Sequence, residues 1–147
     1  MLNRKLAMIV APIMLSLTMS AMAADHEIKM MNRGEAGQMV FEPAFLQIEK
    51  GDTVKFIATD KGHNAETIAG MIPEGAAPFK GKINEEIEVT FDVEGAYGYK
   101  CAPHFAMGMV GLIVVGSAPA NLDALNGARV PNRVRQIFDG LVTQIDQ

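Results

Sequence analysis

Ile87, Val89, Phe91 and Val93 alternate with Glu88, Thr90 and Asp92, a period of two that buries one face of an extended strand and wets the other. Similar short apolar runs, set off by Gly, Asp, Asn and Pro, predict strands over Glu27–Met31, Phe45–Lys50, Thr53–Thr59, Glu86–Val93, Tyr97–Cys101 and Met109–Val115. Gly51-Asp52 supplies a tight turn, and Asp60-Lys61-Gly62 ends another strand. Met109–Val115 is apolar at both parities, as expected of a central strand. These runs favour a mainly β sandwich or barrel of two sheets, reaching to about residue 116. Beyond it the period changes. Val130, Val134, Ile137, Phe138, Leu141, Val142 and Ile145 fall on one helical stripe, with Pro131 suited to a first turn. A shorter helix is expected from Pro119 to Leu125, so that two helices occupy 119–146. A stripe that long needs a surface, and the sandwich is the nearest one; a partner-binding helix is the alternative.

The first 23 residues have a different character. Arg4 and Lys5 precede an uncharged apolar run from Leu6 through Leu17, followed by Ala21-Met22-Ala23, a small-residue cleavage pattern. This is the three-part form of a secretory signal peptide, and the run is too short for a comfortable membrane span. A cut after Ala23 leaves one domain, residues 24–147. Such a leader suggests a bacterial periplasm, with no membrane attachment after cleavage. That compartment is oxidising, and an unpaired Cys is a liability there unless something holds it.

Composition then removes whole classes. The chain of 147 residues holds one Cys, three His and no Trp, with a net charge of −4. One Cys excludes an intrachain disulfide, a four-Cys zinc site and an iron–sulfur cluster on four thiolates of one chain. Three imidazoles are too few for a multi-copper centre. Losing Arg4 and Lys5 with no acid takes the charge to −6, and with no basic tract the chain is a poor nucleic-acid binder. Nothing in the sequence calls for more than a monomer.

One segment carries chemistry: Cys101-Ala102-Pro103-His104-Phe105-Ala106-Met107-Gly108-Met109. Tyr97, Tyr99 and Cys101 share strand parity, so the thiol points inward at a strand end. Pro103 bends the chain and His104 brings an imidazole back towards the sulfur. A thioether follows at Met107 or Met109. His63-Asn64, at another strand end, offers a second imidazole. Cys, two His and a weak Met are the ligands of a blue-copper electron-transfer site, whereas zinc seldom takes a thioether. Taken singly, Cys101 reads as a buried small hydrophobe, His63 as a turn residue and Met109 as core. A Cys101 nucleophile with His104 as its base lacks a helix N-terminus or an oxyanion-hole sequence. His26 lies outside every motif and reads as a surface histidine.

On these residues the chain resembles the cupredoxins, the type 1 copper proteins, and most closely their pseudoazurin group. The likeness runs through Met39–Pro43, Gly51–Val54, Asp60–Asn64, Met71–Gly75, Lys82–Glu85, the Cys101–Met109 loop and the two terminal helices. It implies a Greek-key sandwich and one copper ion, Cu(I) or Cu(II), on His63, Cys101, His104 and an axial Met, both imidazoles binding through Nδ1. Met107 is six residues after Cys101 and Met109 eight, and the longer spacing, which runs straight into the last strand, favours Met109. Asn64 and Pro103 support the ligands, Asn64 by tying its strand end to the Cys loop and donating its backbone N–H to sulfur. The resemblance further implies a one-electron carrier rather than an enzyme, exchanging electrons through the exposed edge of His104. Phe105 and Met107 belong to an apolar docking patch, with Arg33, Lys61, Lys80 and Lys100 as basic residues around it and Lys82 nearby. A basic ring on a net-negative molecule steers it to an acidic partner. The implied partner is a copper nitrite reductase of denitrification, with a c-type cytochrome or another periplasmic redox protein as further candidates. A copper chaperone or storage protein is the competing function, weakened by the scarcity of Met after the leader.

Overall fold

The computed structural model describes residues 22–145; most of the expected leader, 1–21, lies outside the described residues. Eight strands are followed by two helices: β1 Asp25–Gly34, β2 Gly37–Glu42, β3 Phe45–Ile48, β4 Thr53–Ile57, β5 Glu66–Thr67, β6 Ile87–Thr90, β7 Gly95–Lys100, β8 Val110–Val115, α1 Leu122–Gly127 and α2 Asn132–Val142. The strands form two four-stranded sheets, ordered β2-β1-β4-β6 and β3-β8-β7-β5. The pairs β1/β4 and β3/β8 are parallel and the other ladders antiparallel. This is a two-sheet sandwich with two C-terminal helices, the architecture that the resemblance implies. None of the described helices is long and apolar enough to cross a membrane.

The sheets trap Ile28, Met30, Phe41, Val54, Phe56, Tyr99, Ile113 and Val115 between them. A second core, with Leu112 and Val114 on the outer side of β8 and Val134, Phe138 and Leu141 from α2, lies under the helices. Strand β8 is therefore apolar on both faces because it lies between two cores, and the helical stripe is spent on covering the sandwich. Ile145, just past α2, packs on the same cluster.

Several boundaries differ from those the pattern predicts. Strand β1 runs on through polar Asn32 and Arg33 to Gly34, which pairs with Gly37 across the turn into β2. That hairpin and the short β5 were not expected, because neither shows a clean alternation. Strand β3 stops at Ile48, where Asp52 N–H closes a turn on the Glu49 carbonyl at 3.1 Å, and β4 stops at Ile57, where Thr59 N–H turns back to it at 2.9 Å. Strand β6 ends at Thr90 because its partner β4 begins at Thr53, opposite it. Strand β7 starts earlier, at Gly95, and both it and β8 leave Cys101 and Met109 just outside the strands. The first helix starts at Leu122 rather than Pro119, and Pro131 is the N-cap of α2 rather than part of its first turn.

The register sets two poles. Strand β3 runs away from the start of β8, and the chain turns through Glu49–Asp52 and returns along β4 towards His63. Cys101 and Met109 lie at that same near end, joined by a Cys101 N–H to Met109 carbonyl bond of 3.0 Å. Asp52 is thus at the end of the sandwich opposite Cys101.

Candidate metal centre

Cys101 follows β7 directly, and its side chain is fully buried in the inter-sheet core, as the strand parity requires. A 3-10 turn over Ala102–His104 then reverses the chain, with Pro103 at its start, where a missing N–H costs nothing. His104 N–H returns to the Cys101 carbonyl at 3.2 Å. That turn brings His104 Nδ1 to 3.5 Å from the sulfur. His63, fully buried at the end of the loop after β4, places its own Nδ1 at 3.7 Å from the same sulfur and 3.2 Å from His104 Nδ1. Three ligand atoms from residues far apart in sequence converge within 4.8 Å of one another.

The tautomer of His63 is fixed from behind. Its Nε2 lies 2.8 Å from Asn32 Oδ1, an acceptor, so Nε2 carries the proton and Nδ1 turns a lone pair into the cluster. Asn32 N–H in turn donates to Asp60 Oδ2 at 2.7 Å, tying the end of β1 to the loop that carries His63. Burial holds His63 below the ordinary imidazole range, and the neighbouring His104 adds to the effect. Burial also pushes the Cys101 thiol up, while the backbone N–H groups of Asn64 and His104 pull it part of the way back. The buried Cys101 sulfur meets the Nδ1 atoms of both imidazoles, and such a soft S,N,N donor set suits copper.

Asn64 braces both ligand segments. Its Oδ1 accepts the Ala102 N–H at 2.7 Å, and its Nδ2 donates to the Gly81 carbonyl and to Glu66 Oε2, each at 3.1 Å. The expected tie between the His63 strand end and the Cys loop is present. The two methionines are placed differently: Met109 is fully buried in the core cluster that holds Cys101 and Tyr99, whereas Met107 is 49% exposed. His104 and Phe105 are half-buried, and Ala102, Pro103 and Ala106 are exposed beside them.

The basic residues fall into two groups. Arg33 and Lys61, both exposed, adjoin the Asn32–Asp60 contact. Lys80 and Lys100 lie 4.0 and 3.5 Å from the Glu66 carboxylate, and Lys100 Nζ sits 4.7 Å above the Phe105 ring. Lys82 is exposed nearby in the chain. Sequence reasoning missed Asn32 and Glu66, which touch ligand-bearing segments, and also Arg133. Arg133 donates from Nε to the Met107 carbonyl at 2.9 Å, and Gly108, at φ +90° where a side chain is strained, packs against the Ile137 side chain. The helix α2 thus grips the loop between His104 and Met109. His26 is not a free surface histidine, for its Nε2 lies 2.8 Å from Asp52 Oδ2.

Residues 28–116 match the family of copper binding proteins described as the plastocyanin/azurin family. The chain is 49% identical to a pseudoazurin of Paracoccus pantotrophus over 92% of its own length and 94% of the relative's. The crystal structure of pseudoazurin from Methylobacterium extorquens AM1 superposes with a TM-score of 0.80 at 47% identity, over 83% of this chain and 99% of that one. Native pseudoazurin from Hyphomicrobium denitrificans gives 0.78 at 44% identity, over 84% and 99%.

Proposed function

Because the chain belongs to the plastocyanin/azurin family of copper-binding proteins, and within it to the pseudoazurins, it is an electron carrier with one copper ion, and we propose that it works in the periplasm as a donor to a copper nitrite reductase. The copper supplies the one-electron chemistry by alternating between Cu(I) and Cu(II). His63, Cys101, His104 and Met109 hold it. Met109 is preferred to Met107 because it is buried beside Cys101, while Met107 faces water. The observation that carries this reading is the convergence of Cys101 Sγ with the Nδ1 atoms of His63 and His104, in a frame already fixed by Asn32 and Asn64. Ligands held this rigidly need little rearrangement when the charge changes.

His104 is the one clustered donor that reaches the surface, amid exposed Pro103, Ala106 and Met107. That edge gives a short path to a partner pressed against the apolar patch, with Phe105 and Met107 in contact. Arg33, Lys61, Lys80 and Lys100 steer an acidic partner on approach, although Glu66 already holds part of the charge of Lys80 and Lys100. The leader, residues 1–23, delivers the domain to the periplasm. The chaperone alternative is disfavoured by the burial of Cys101 and His63, since a chaperone must release its metal to a partner. A Cys101 nucleophile is disfavoured too, because burial raises the thiol where an activated one would be lowered.

The first test is the visible spectrum of the chain with one equivalent of Cu(II), beside Cys101→Ala. The expected result is an intense thiolate–copper band that ascorbate abolishes and the variant lacks; no band in the unsubstituted protein overturns the ligand set. Stopped-flow mixing of the reduced carrier with copper nitrite reductase should then give reoxidation that slows as salt rises. Absence of reoxidation overturns the partner alone.

A further inference from the structure

Asp52 is a buried carboxylate with no part in the metal site. It is 4% exposed, at the pole opposite Cys101. Its Oδ2 lies 2.8 Å from His26 Nε2 and accepts the Glu49 N–H at 3.1 Å. Its Oδ1 accepts the N–H of Ala24 at 2.8 Å. Ala24 is itself pinned, because its carbonyl accepts the Thr53 N–H at 3.0 Å just where β1 begins to pair with β4. Ala24 is also the residue that follows the small-residue cleavage pattern Ala21-Met22-Ala23. Met22 is 91% exposed and Ala23 is exposed as well, so the bond before Ala24 stands clear of the fold.

We propose that Asp52 is the receptor for the N-terminal ammonium of the processed chain, so that removal of the leader creates an ion pair that locks this pole. The proposal rests on the export reading given above. Hydrolysis of the Ala23–Ala24 peptide bond by a signal peptidase consumes one water. The C–N bond breaks, the departing leader ends in the Ala23 carboxylate, and the Ala24 nitrogen is protonated to an ammonium. One neutral N–H donor thereby becomes a full positive charge with three donors, at hydrogen-bond distance from a carboxylate shielded from water. Charge-assisted bonds of this kind are stronger than neutral ones. The geometry is selective for the cut: ending one residue earlier or later moves the charge away from Oδ1. Other charges in reach are His26 on the opposite oxygen, and Asp25, Glu27, Lys55 and Glu88, which line the adjoining surface cleft with His26. Two of the acids, Asp25 and Glu27, are on β1 itself, so Asp52 is distinguished by its burial and its aim rather than by charge alone.

Both cores lie within the described domain, so the chain beginning at Ala24 is the unit to use. Urea unfolding is compared for that chain with a free amine and with an acetylated one, each with Asp52 present and as Asp52→Asn. With Asp52, acetylation should lower the folding equilibrium constant by about tenfold; in Asp52→Asn the loss should largely vanish. Equal losses in both backgrounds, or no loss in either, overturn the pairing. The α-amino group should also titrate above its ordinary value of about 7.7–8.0 and return towards it in Asp52→Asn; no difference between the two would likewise overturn it. Sequencing the N-terminus of the chain recovered from the periplasm of cells making the full protein tests processing separately. A start at Ala24 is expected, and any other start, or an intact leader, overturns the cut even where the acetylation cycle supports the pairing.

Discussion

At one end of the sandwich a buried carboxylate is answered by backbone and imidazole; at the other a buried thiol and two imidazoles converge on one another. Asp52 accepts from Ala24, Glu49 and His26, and these partners hold its carboxyl below the usual carboxylate range. Cys101, His63 and His104 contact mainly one another, the two Nδ1 atoms 3.2 Å apart and the sulfur 3.5 and 3.7 Å from them, and the shell behind them is complete: Asn32 fixes His63, and Asn64 fixes Ala102. Polar groups that satisfy one another make a structural joint. Soft donors that converge on one point, each braced from behind, make a place for a cation. The two poles share a scaffold, since β4 runs from one to the other, and they differ in where the last partner comes from.

The comparison breaks most visibly under paired substitutions. Asn64→Ala leaves the Ala102 N–H and the Gly81 carbonyl without their buried partner, which should cost about 2–4 kcal/mol of stability. It should also shift the thiolate–copper band, because the loop carrying Cys101 loses its brace. Asp52→Ala should cost a similar amount, yet leave the visible spectrum unchanged. Urea unfolding and absorption spectra of the two variants read both effects. A spectral change in Asp52→Ala as large as that in Asn64→Ala would dissolve the distinction between the poles.

A smaller effect separates the poles by pH in the metal-free protein. His63 is held below its ordinary value of 6.5, chiefly by burial and then by His104, with Asp60 opposing. The fold therefore favours neutral His63. Its contribution is whole above pH 6.5 and is lost as pH falls from there towards the lower folded value. Asp52 is lowered from 3.8, first by the Ala24 hydrogen bond and then by His26. Its contribution is whole above 3.8 and is lost only as pH falls through the folded value beneath it. Unfolding free energy measured against pH should thus decline in two separate windows. His63→Gln should flatten the upper one and Asp52→Asn the lower. A single window unaffected by His63→Gln would contradict the account of the near pole.

How much of this was legible in the sequence follows from how far each contact reaches. Cys101, Pro103, His104 and the two methionines lie in one short segment, so a strand end and one turn are enough to foresee their convergence. His63 needed the assumption of a sandwich, since only β4 and its partners bring that loop to the sulfur. The alternation of Ile87–Val93 and the two-sided run of β8 gave away the layers for the same local reason. Asn32 was illegible, because an Asn before Arg33-Gly34 reads as a turn residue and its contact to His63 joins the end of β1 to a loop 31 residues on. Asp52 was seen only as half of a tight turn, though its side chain is what joins the turn to the first residue of the domain. Strand β2 was lost because Met39-Val40-Phe41 is too short an apolar run to show a period, and pairing with β1 supplies what the pattern lacks.

Arg133 marks the limit of such reading and carries the smallest effect. It lies on the exposed side of α2, away from the apolar stripe, where an arginine is ordinarily a solubilising charge. Its Nε nevertheless donates to the Met107 carbonyl, while Ile137 one turn on closes over Gly108. The loop is otherwise held by its own backbone, through Met107 and Met109 N–H to the His104 carbonyl and Gly108 N–H to the Phe105 carbonyl, all at 3.0–3.1 Å. Arg133→Met should therefore cost no more than about 1 kcal/mol of stability, since the lost bond is exposed to water. The reduction potential should respond more clearly and fall, because a positive charge beside the loop disfavours the more highly charged oxidised state. Arg129→Met is the control: it removes the same charge from the exposed stretch between the helices. Equal shifts in the two variants would assign the effect to net charge and leave α2 as a cover for the sandwich. A larger fall in Arg133→Met, with a changed ratio of visible bands, would show that the helix reaches through Met107 to the site it appears only to flank.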